Sequence, residues 1–378
     1  MTSIPRVSLQ ACSDYEPHRL RDSLRQLLEP LGGIAAFVKP GMRVLIKPNL
    51  LGPHPRQDAV CTDPEVIVAV AEMVLEAGGH AVVGDSPGLV RAEKVLRTLE
   101  VWDRLKSIGC ELVEFDSFEE RSGGTFHSIE IATAPLEADL VINLPKLKTH
   151  GMMVLTLGVK NMYGCVVGRR KAAYHLHVKD SRDLFAKLVG DICEAVAPGL
   201  TILDGVIGME GEGPGSGIPR NTGFLAASQD PWALDLVTAW ILGYSVEEVP
   251  LLREYKRRLA AKGLVPDAEV VGADWRTLSV KDFVRARSFS VSFRIPGWLR
   301  RPLRKLVLPS PAIVKVKCIG CGNCAKSCPA EVIAIVDGKA DIALSGCIRC
   351  FCCAEVCPVK AVEVKRPLLA FLREHRPR

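Results

Sequence analysis

The sequence contains no long uninterrupted apolar run. Each hydrophobic stretch of the 378-residue chain meets a charged side chain, such as Glu72, Lys160 or Asp235. None of them therefore reaches the roughly eighteen apolar residues of a membrane-spanning helix. The chain also begins without the charged-then-apolar segment of an export signal. From both absences we expect a cytoplasmic protein without a transmembrane segment.

The chain also lacks a strong excess of charge of either sign. Its 49 Lys and Arg against 43 Asp and Glu give a net charge of +6, spread along the sequence. A nucleic-acid-binding surface needs a concentration of cations, so we expect no nucleic acid partner. One basic stretch, residues 294–305, could lie on a membrane surface or an acidic partner. Because Pro296 and Pro302 keep any helix there short, packing against the C-terminal module is favoured.

Motifs that bind nucleotides are absent as well. No phosphate-binding loop of the type G-x4-G-K-[ST] occurs in the chain. The glycine-rich stretch at 208–223 is not a dinucleotide-binding turn, because Pro214 and Pro219 forbid the helix that its glycines would have to open. This stretch is expected to form a flexible lid, or a loop whose backbone amides contact a ligand.

Cysteine, in contrast, is abundant, and eight of the 14 cysteines form two runs of equal spacing. Residues 318–329 have the sequence CIGCGNCAKSCP, and residues 347–358 have CIRCFCCAEVCP. Bacterial ferredoxins use this spacing for 4Fe-4S clusters, and the fourth cysteine of each run binds the other cluster. The predicted ligands are Cys318, Cys321, Cys324 and Cys357 for the first cluster, and Cys347, Cys350, Cys353 and Cys328 for the second.

Other uses of these cysteines are less consistent with the pattern. Pairs of the type C-x2-C also suit tetrahedral zinc, but two complete runs favour two 4Fe-4S clusters. A disulfide framework would need an oxidising compartment. Cys352 has no place in either run, and its simplest role is that of a small apolar residue packed beside a cluster.

Upstream of these runs, strand and helix patterns alternate. The predicted strands are 6–11, 42–47, 80–84, 111–115, 139–144, 200–205 and 223–228, and the predicted helices are 16–30, 64–79, 91–106, 181–196 and 231–242. Such alternation is typical of an α/β domain with a mainly parallel sheet and helices on both faces. The pattern ends after about residue 275.

The composition divides the chain into four parts. Residues 1–290 are expected to form the α/β domain, 291–312 a basic, proline-rich linker, 313–366 a small α+β ferredoxin-like two-cluster domain, and 367–378 a C-terminal tail. Within the small domain, residues 332–344 suggest a hairpin that turns on Asp337-Gly338, and residues 361–365 suggest a returning strand.

The ends of four predicted strands are rich in lysine and other polar residues. Ligands of open parallel sheets bind outside the carboxyl ends of the strands. A single lysine there is ordinarily solvated and a single aspartate often caps a turn, but residues 158–177 add further cations. Together they predict a positive, concave site for a carboxylate or phosphate. The predicted substrate-binding residues are Lys47, Asn49, Asp85, Lys146, Lys148, Asn161, Lys171, His175 and Asp204.

Three residues are candidates for catalysis, namely His150, Lys148 and Lys160. In an extended segment the side chains of Lys146, Lys148 and His150 share one side. Two ammonium groups could then clamp an anion while the imidazole, whose ordinary pKa is near 6.5, moves a proton. His175 and His177 could both face a metal only from an extended or loop backbone, so anion binding or acid–base work is favoured for them.

The chain resembles the DUF362 family, a domain of unknown function often found with ferredoxin-type clusters. The resemblance covers about residues 6–272 and includes the segments FVKPGMRVLIKPNLL, LVINLPKLKTHGMMVLTLGVKNMYG and ILDGVIGMEGEGPGSG. Residues 318–358 separately resemble two-cluster bacterial ferredoxins. The family implies no established reaction. It supports treating Lys146, Lys148, His150, Lys160 and Asn161 as one site, because they lie in its most recognisable segment.

Two functions are consistent with these features. The first is an oxidoreductase in which the clusters exchange single electrons with an anionic small molecule bound in the α/β domain. The second is a non-catalytic electron-transfer or assembly factor whose α/β domain binds a partner protein. Residues 313–365 carry seven Lys and Arg against five Asp and Glu. This balance suits an acidic electron donor or acceptor, such as an acidic ferredoxin or a flavodoxin.

Overall fold

The structure, a computed structural model, describes residues 4–168, 170–178, 181–286 and 309–365. Most of the predicted linker and the whole C-terminal tail lie outside the described residues, so the domain boundaries stay predictions. No helix in the described ranges is long and apolar enough to cross a membrane.

A ten-stranded mixed sheet forms the larger domain. Its strands are β1 (Arg6–Ala11), β2 (Arg43–Pro48), β3 (His80–Val83), β4 (Glu111–Leu112), β7 (Leu140–Leu144), β8 (Lys146–His150), β9 (Val154–Thr156), β10 (Leu200–Glu210), β11 (Ile218–Ser228) and β12 (Glu269–Gly272), and β5 (Phe118–Arg121) pairs separately with β6 (Ile129–Ala132). The order is β12-β1-β11-β10-β7-β2-β3-β4, with β8 beside β10 and β9 beside β8. Only β1–β11, β10–β11 and β8–β9 are antiparallel within this sheet, so the predicted mainly parallel sheet is confirmed.

Helices cover both faces of the sheet. They are α1 (Pro17–Leu28), α2 (Pro64–Glu76), α3 (Ala92–Thr98), α4 (Trp102–Ser107), α5 (Thr133–Glu137), α6 (Gly158–Asn161), α7 (Arg170–Val178), α8 (Arg182–Val196), α9 (Pro231–Ile241) and α10 (Pro250–Ala260). On β2, Val44 and Ile46 pack against α1 to α4, whereas Leu45 points to the opposite core with α6 and α8 to α10. This alternation follows from the two-residue period of a strand.

Capping residues set where the helices begin. Asp63 accepts the backbone N–H of Glu65 at 3.0 Å ahead of α2, and Pro64 occupies the first turn, where its missing N–H costs nothing. The neighbouring Thr62 has a different task. Its hydroxyl accepts the N–H of Asn49 at 2.8 Å and donates to the carbonyl of Leu144 at 2.6 Å, so it ties the carboxyl ends of β2 and β7 together.

Two segments differ from the sequence-based expectation. The helix expected at 91–106 is split into α3 and α4, because Glu100 adopts a left-handed backbone conformation with φ 56°. The glycine-rich stretch lies largely in strands, because β10 ends at Glu210 and β11 begins at Ile218. Only the turn between these two strands is a loop. The sequence-based assignment missed α10 and the pairing of β8 with β9.

The small domain contains two short antiparallel pairs and two short helices. Its elements are β13 (Ser310–Ile313), α11 (Asn323–Lys326), β14 (Ile333–Val336), β15 (Lys339–Ile342), α12 (Cys352–Glu355) and β16 (Val362–Lys365). The predicted hairpin is β14–β15, and both Asp337 and Gly338 at its turn have positive φ, as a type I′ turn requires. The predicted returning strand is β16, which pairs with β13.

Candidate functional site

Two small cavities in the C-terminal domain are lined by cysteines. One, of about 20 Å³, is lined by Cys318, Cys321, Cys324 and Cys357 among other residues. The second, of about 10 Å³, is lined by Cys328, Cys347, Cys350 and Cys353. Each cavity thus gathers three cysteines of one run and the fourth cysteine of the other run.

The surroundings of these cysteines suit thiolates bound to iron. Backbone amides donate to sulfur from Ala340 to Cys318 at 3.4 Å and from Ala361 to Cys357 at 3.2 Å, and hydrogen bonds of this kind tune iron–sulfur clusters. In the part of the chain that the structure describes, no three His, Cys, Asp or Glu side chains converge on a single metal ion. A 4Fe-4S cluster needs no such convergence, because each thiolate binds a different iron.

A third cavity, of about 150 Å³, lies between the two domains, and we call it the junction cavity. The α/β domain contributes polar residues from β8, β9, α6 and α7, from the turn after α6 and from the loops after β2 and β3. These polar residues are Asn49, Asp85, Ser86, Lys148, His150, Thr156, Lys160, Asn161, Tyr163, Lys171 and His175. The cluster domain contributes Lys326, Ser327, Cys352, Glu355 and Val356.

Strand β8 delivers Lys148 and His150 to the junction cavity. Lys148 Nζ donates to Asn49 Oδ1 at 2.6 Å and to the carbonyl of Val60 at 2.7 Å. Burial lowers the pKa of Lys148 to about 7, because desolvation penalises the ammonium form.

The imidazole of His150 is held in one orientation. Its Nδ1 accepts the backbone N–H groups of Met152 at 3.1 Å and Met153 at 3.3 Å. Nε2 therefore carries the proton of the neutral ring, and it lies 3.4 Å from Glu355 Oε1 of the cluster domain. Burial, followed by the charge of Lys160, lowers the pKa of His150 well below its ordinary value. The ordinary pKa that the sequence suggested for this group therefore does not apply, and His150 is a neutral donor at physiological pH.

Helix α6 brings Lys160 and Asn161 to the site. Asn161 lies at the centre of an amide network, since its Oδ1 accepts Asn49 Nδ2 at 3.0 Å and its Nδ2 donates to Asn143 Oδ1 at 2.8 Å. Lys160 Nζ lies 5.0 Å from the centroid of the Tyr163 ring. Burial lowers the pKa of Lys160.

Helix α7 supplies Lys171 and His175. Lys171 donates to the carbonyl of Ser86, and burial lowers its pKa to about 8. His175 is buried and lines the junction cavity, whereas His177 is exposed and its Nδ1 lies 2.8 Å from the carbonyl of Ala173. The helix therefore turns the two histidines to different surroundings.

Three of the predicted site residues do not line the junction cavity. Lys47 Nζ forms a buried ion pair with Asp85 Oδ1 at 2.8 Å, behind the cavity wall. Lys146 Nζ pairs with Asp204 Oδ2 at 2.7 Å, because the register of β8 against β10 places these residues side by side. Tyr15 completes this second group, since its hydroxyl donates to Asp204 Oδ1 at 2.6 Å.

Sequence reasoning missed several residues of the junction cavity. Tyr163 and Ser86 gave no distinguishing signal, and Glu355 lies more than 200 positions from His150 in the sequence. Cys352 did give a signal, because it fits neither cysteine run. Cys352 itself lines the junction cavity, while Cys350 and Cys353 line the second cysteine cavity.

Comparisons with known proteins agree with this architecture. Residues 310–358 match the model of a 4Fe-4S dicluster domain, so the chain is an iron–sulfur protein. Residues 44–240 match the model described as a domain of unknown function, DUF362. The chain belongs to the DUF362 family.

One relative and one solved structure add detail. The chain is 42% identical over 256 residues to the thylakoid-associated protein sll1697 of Synechocystis sp., a match that covers 67% of this chain and 79% of that protein. The lactate racemase apoprotein from Thermoanaerobacterium thermosaccharolyticum superimposes with a TM-score of 0.43 and 11% identity. That match covers 61% of this chain and 55% of the other, so the chain spans about half the length of that structure.

Proposed function

We propose that the protein is an oxidoreductase that exchanges single electrons between two 4Fe-4S clusters and an anionic small molecule in the junction cavity. In this proposal the α/β domain, residues 1–290, binds the ligand, and residues 313–366 hold the clusters. When bound, 4Fe-4S clusters supply or accept one electron each. The first cluster is assigned to Cys318, Cys321, Cys324 and Cys357, and the second to Cys347, Cys350, Cys353 and Cys328.

The position of Cys352 is the observation that carries this proposal. The residue lines the junction cavity, while Cys350 and Cys353 on either side of it in the sequence line the second cysteine cavity and are assigned ligands of the second cluster. A molecule in the junction cavity thus meets the backbone segment that carries two cluster ligands. The lining residues Lys326 and Ser327 lie, in the same way, between the assigned ligands Cys324 and Cys328.

The charge of the junction cavity supports an anionic ligand. Lys148, Lys160 and Lys171 line it from the α/β domain and Lys326 from the cluster domain, whereas its two carboxylates are Asp85, already paired with Lys47, and Glu355, which faces His150. Desolvating ammonium groups without direct counter-charges is unfavourable, and an anion would remove part of that cost. A cluster-bearing adaptor without a ligand has no evident use for three lysines of one domain around a cavity.

Cluster content tests the first half of the proposal. Protein prepared without oxygen should contain roughly eight irons and eight acid-labile sulfides per chain. Cys353→Ser should lose or convert one cluster, whereas Cys352→Ser should keep both. Stoichiometric zinc without sulfide, or equal cluster loss in both variants, would contradict the assignment.

Electron transfer to a small molecule tests the second half. The protein would be reduced with dithionite, freed of excess reductant and mixed anaerobically with oxyanions that carry a reducible group, namely individual 2-oxo and 2-enoic carboxylates and nitrite, while the recovery of visible absorbance is followed. At least one compound should reoxidise the parent protein and fail to reoxidise Lys160→Met. If none does, and a protein partner reoxidises both forms equally, the non-catalytic electron-transfer factor is the better description.

The partner that exchanges electrons with the clusters is proposed to dock near the first cysteine cavity. Cys321 is exposed there, and Ile319 and Ile335 both line this cavity and reach solvent. Val316 and Val336 extend the exposed apolar surface. An acidic ferredoxin or a flavodoxin suits the mixed but slightly basic composition around it. Reduction rates by such a donor should fall as salt rises, and Val316→Glu should slow them further.

The cytoplasmic location stays a prediction. The relative from Synechocystis is described as thylakoid-associated, which makes peripheral membrane association a competing outcome for this chain. Fractionation of cells, with a salt wash of the membranes, separates the two. Recovery of the protein in the membrane fraction before the wash, and in the salt extract after it, would show peripheral association and contradict the predicted location.

A further inference from the structure

Two polar groups in the junction cavity have no partner among the described residues. Lys160 Nζ has neither a hydrogen bond nor a salt bridge there, and it lies over the rings of Tyr163 and Phe185, with centroids at 5.0 Å and 5.5 Å, while Glu355 of the same cavity acts on it at longer range. His175 is 5% exposed, and its buried Nδ1 has no hydrogen-bond partner in that part of the chain. Both residues line the cavity.

The same two aromatic rings support both groups. The His175 ring packs against Phe185 at a centroid distance of 4.6 Å and meets Tyr163 edge-on at 5.9 Å. We call Tyr163 and Phe185 the aromatic shelf. Because Lys160 and His175 lie on one shelf, a single small group can reach both.

The electrostatics of the pair are complementary to an oxyanion. Burial, followed by the charge of Lys160, lowers the pKa of His175 to about 3, so the imidazole is neutral at physiological pH. A neutral imidazole can donate one N–H to an oxygen, while the ammonium of Lys160 supplies the charge. Lys148 and Lys171 differ, since each already donates to a carbonyl oxygen.

The size of the junction cavity limits the ligand. Its volume of about 150 Å³ is similar to that of an engineered protein cavity, about 150 Å³, that holds benzene. Pockets for larger ligands enclose roughly 300–1,000 Å³. The enclosed space therefore favours a small carboxylate, a phosphate or a sulfate over a nucleotide.

We propose that the ligand is a small oxyanion, a carboxylate or an inorganic oxyanion, whose negative oxygen binds between Lys160 Nζ and the His175 ring on the aromatic shelf. This inference rests on the proposed function, because it names the class of molecule that the cavity binds. The rest of a carboxylate ligand would face Cys352 and Glu355 of the cluster domain and His150 of the α/β domain.

Calorimetry on the anaerobic, cluster-containing protein tests the inference with acetate, inorganic phosphate and AMP as probes. Acetate or phosphate should bind, and AMP should not. Lys160→Met and His175→Phe should each weaken binding at least tenfold, whereas His175→Asn, which keeps an N–H near Nδ1, should lose less. Lys317→Met removes an equal charge from an exposed surface of the cluster domain and should bind like the parent. Tighter binding of acetate than of phosphate would identify a carboxylate ligand, and the reverse order an inorganic oxyanion.

The outcomes separate this inference from the function it rests on. Equal affinities in the parent and Lys160→Met, AMP binding that depends on Lys160, or no binding of either small anion would overturn the inference. Iron content and unfolding midpoints of each variant show whether it is folded. If small oxyanions bind through Lys160 but never reoxidise the reduced protein, the proposed oxidoreductase fails and the oxyanion site stands.

Discussion

The buried lysines of the α/β domain form two groups that differ in how their charge is compensated. Lys47 and Lys146 each lie within 2.8 Å of a buried carboxylate. Lys148, Lys160 and Lys171 line the junction cavity, and in the described ranges none of them has a carboxylate within salt-bridge distance. The sequence does not separate the two groups, because Lys146 of the first group and Lys148 and Lys160 of the second all lie within residues 146–160.

The difference separates lysines whose charge stabilises the fold from lysines whose charge can bind a ligand. In a closed pair each ion satisfies the other, and removing one partner leaves an uncompensated charge in a low-dielectric interior. In the junction cavity Glu355 faces His150, and no carboxylate of the described residues lies within salt-bridge distance of the three lysines, so a ligand can supply a direct counter-charge. We therefore expect substitutions in the first group to reduce stability, and those in the second group to reduce binding.

The largest stability loss should come from Asp204→Ala. This change leaves Lys146 Nζ, the Tyr15 hydroxyl and the backbone N–H of Asp63 without their acceptor. Breaking a buried ion pair by removing one partner costs about 3–5 kcal/mol of unfolding free energy. Urea unfolding followed by tryptophan fluorescence measures the loss.

A double substitution provides the control for that comparison. Lys146→Met combined with Asp204→Leu removes both charges, so it should recover much of the stability that Asp204→Ala loses. Iron content should stay at the parent value in both variants. Cluster loss in Asp204→Ala at full thermal stability would show that this pair belongs to the functional site after all.

Gly164→Ala should disturb the second closed pair. A Cβ on residue 164 would lie closer than contact distance to both the carboxylate of Asp85 and the side chain of Lys47. Overpacking of this kind typically costs about 1–3 kcal/mol. Gly168→Ala offers a nearby comparison, because a Cβ there meets no atom within 4 Å, although its positive φ of 46° is unfavourable for alanine. A fully stable Gly164→Ala variant would show that the Lys47–Asp85 pair can move.

The pH dependence of stability should reveal Lys148. Its pKa is about 7 in the folded protein and about 10.5 when exposed. Between these values the unfolded chain binds the proton that the folded chain has lost, so unfolding free energy should rise with pH by up to about 1.4 kcal/mol per pH unit. Lys148→Met should lack this contribution. Any contribution of Lys148 to oxyanion binding should be lost as the pH rises through about 7, where the folded protein loses the ammonium form.

Urea midpoints of the parent and Lys148→Met, measured from pH 6 to 10, isolate the effect. The difference in unfolding free energy between the two proteins should change with pH only in that window. Parallel curves across the whole range would mean that Lys148 keeps an ordinary pKa and belongs with the compensated group.

The smallest effect should come from an exposed pair. Lys317 Nζ lies 2.7 Å from Glu363 Oε1, but both side chains are about half exposed, at 51% and 56%. Pairs in such surroundings contribute about 0–1 kcal/mol. Lys317→Ala should therefore leave the unfolding midpoint and oxyanion affinity close to the parent values. A loss as large as that of Asp204→Ala would refute burial as the basis of the comparison.

Sequence reasoning was most successful where the pattern is local. The strands β2, β3 and β7, the helix α2 with its Pro64 start and the hairpin at Asp337-Gly338 all follow from residues adjacent in the chain. It failed at Glu100, where a single left-handed residue divides a helical pattern. In the site it identified Lys148, Lys160 and His175, but it could not separate them from Lys146, because strand alternation places Lys146 and Lys148 on the same side.

The sequence by itself determined the family, the mainly parallel α/β sheet and the two cysteine runs, because spacing along the chain dictates which backbone and ligand geometries are possible. Only the tertiary structure decided which lysines meet a carboxylate. Asp204 and Lys146 are neighbours through strand register, and Glu355 faces His150 because two domains pack together. Contacts between distant parts of the chain set the desolvation and the pairing of each charge, and no local pattern encodes them.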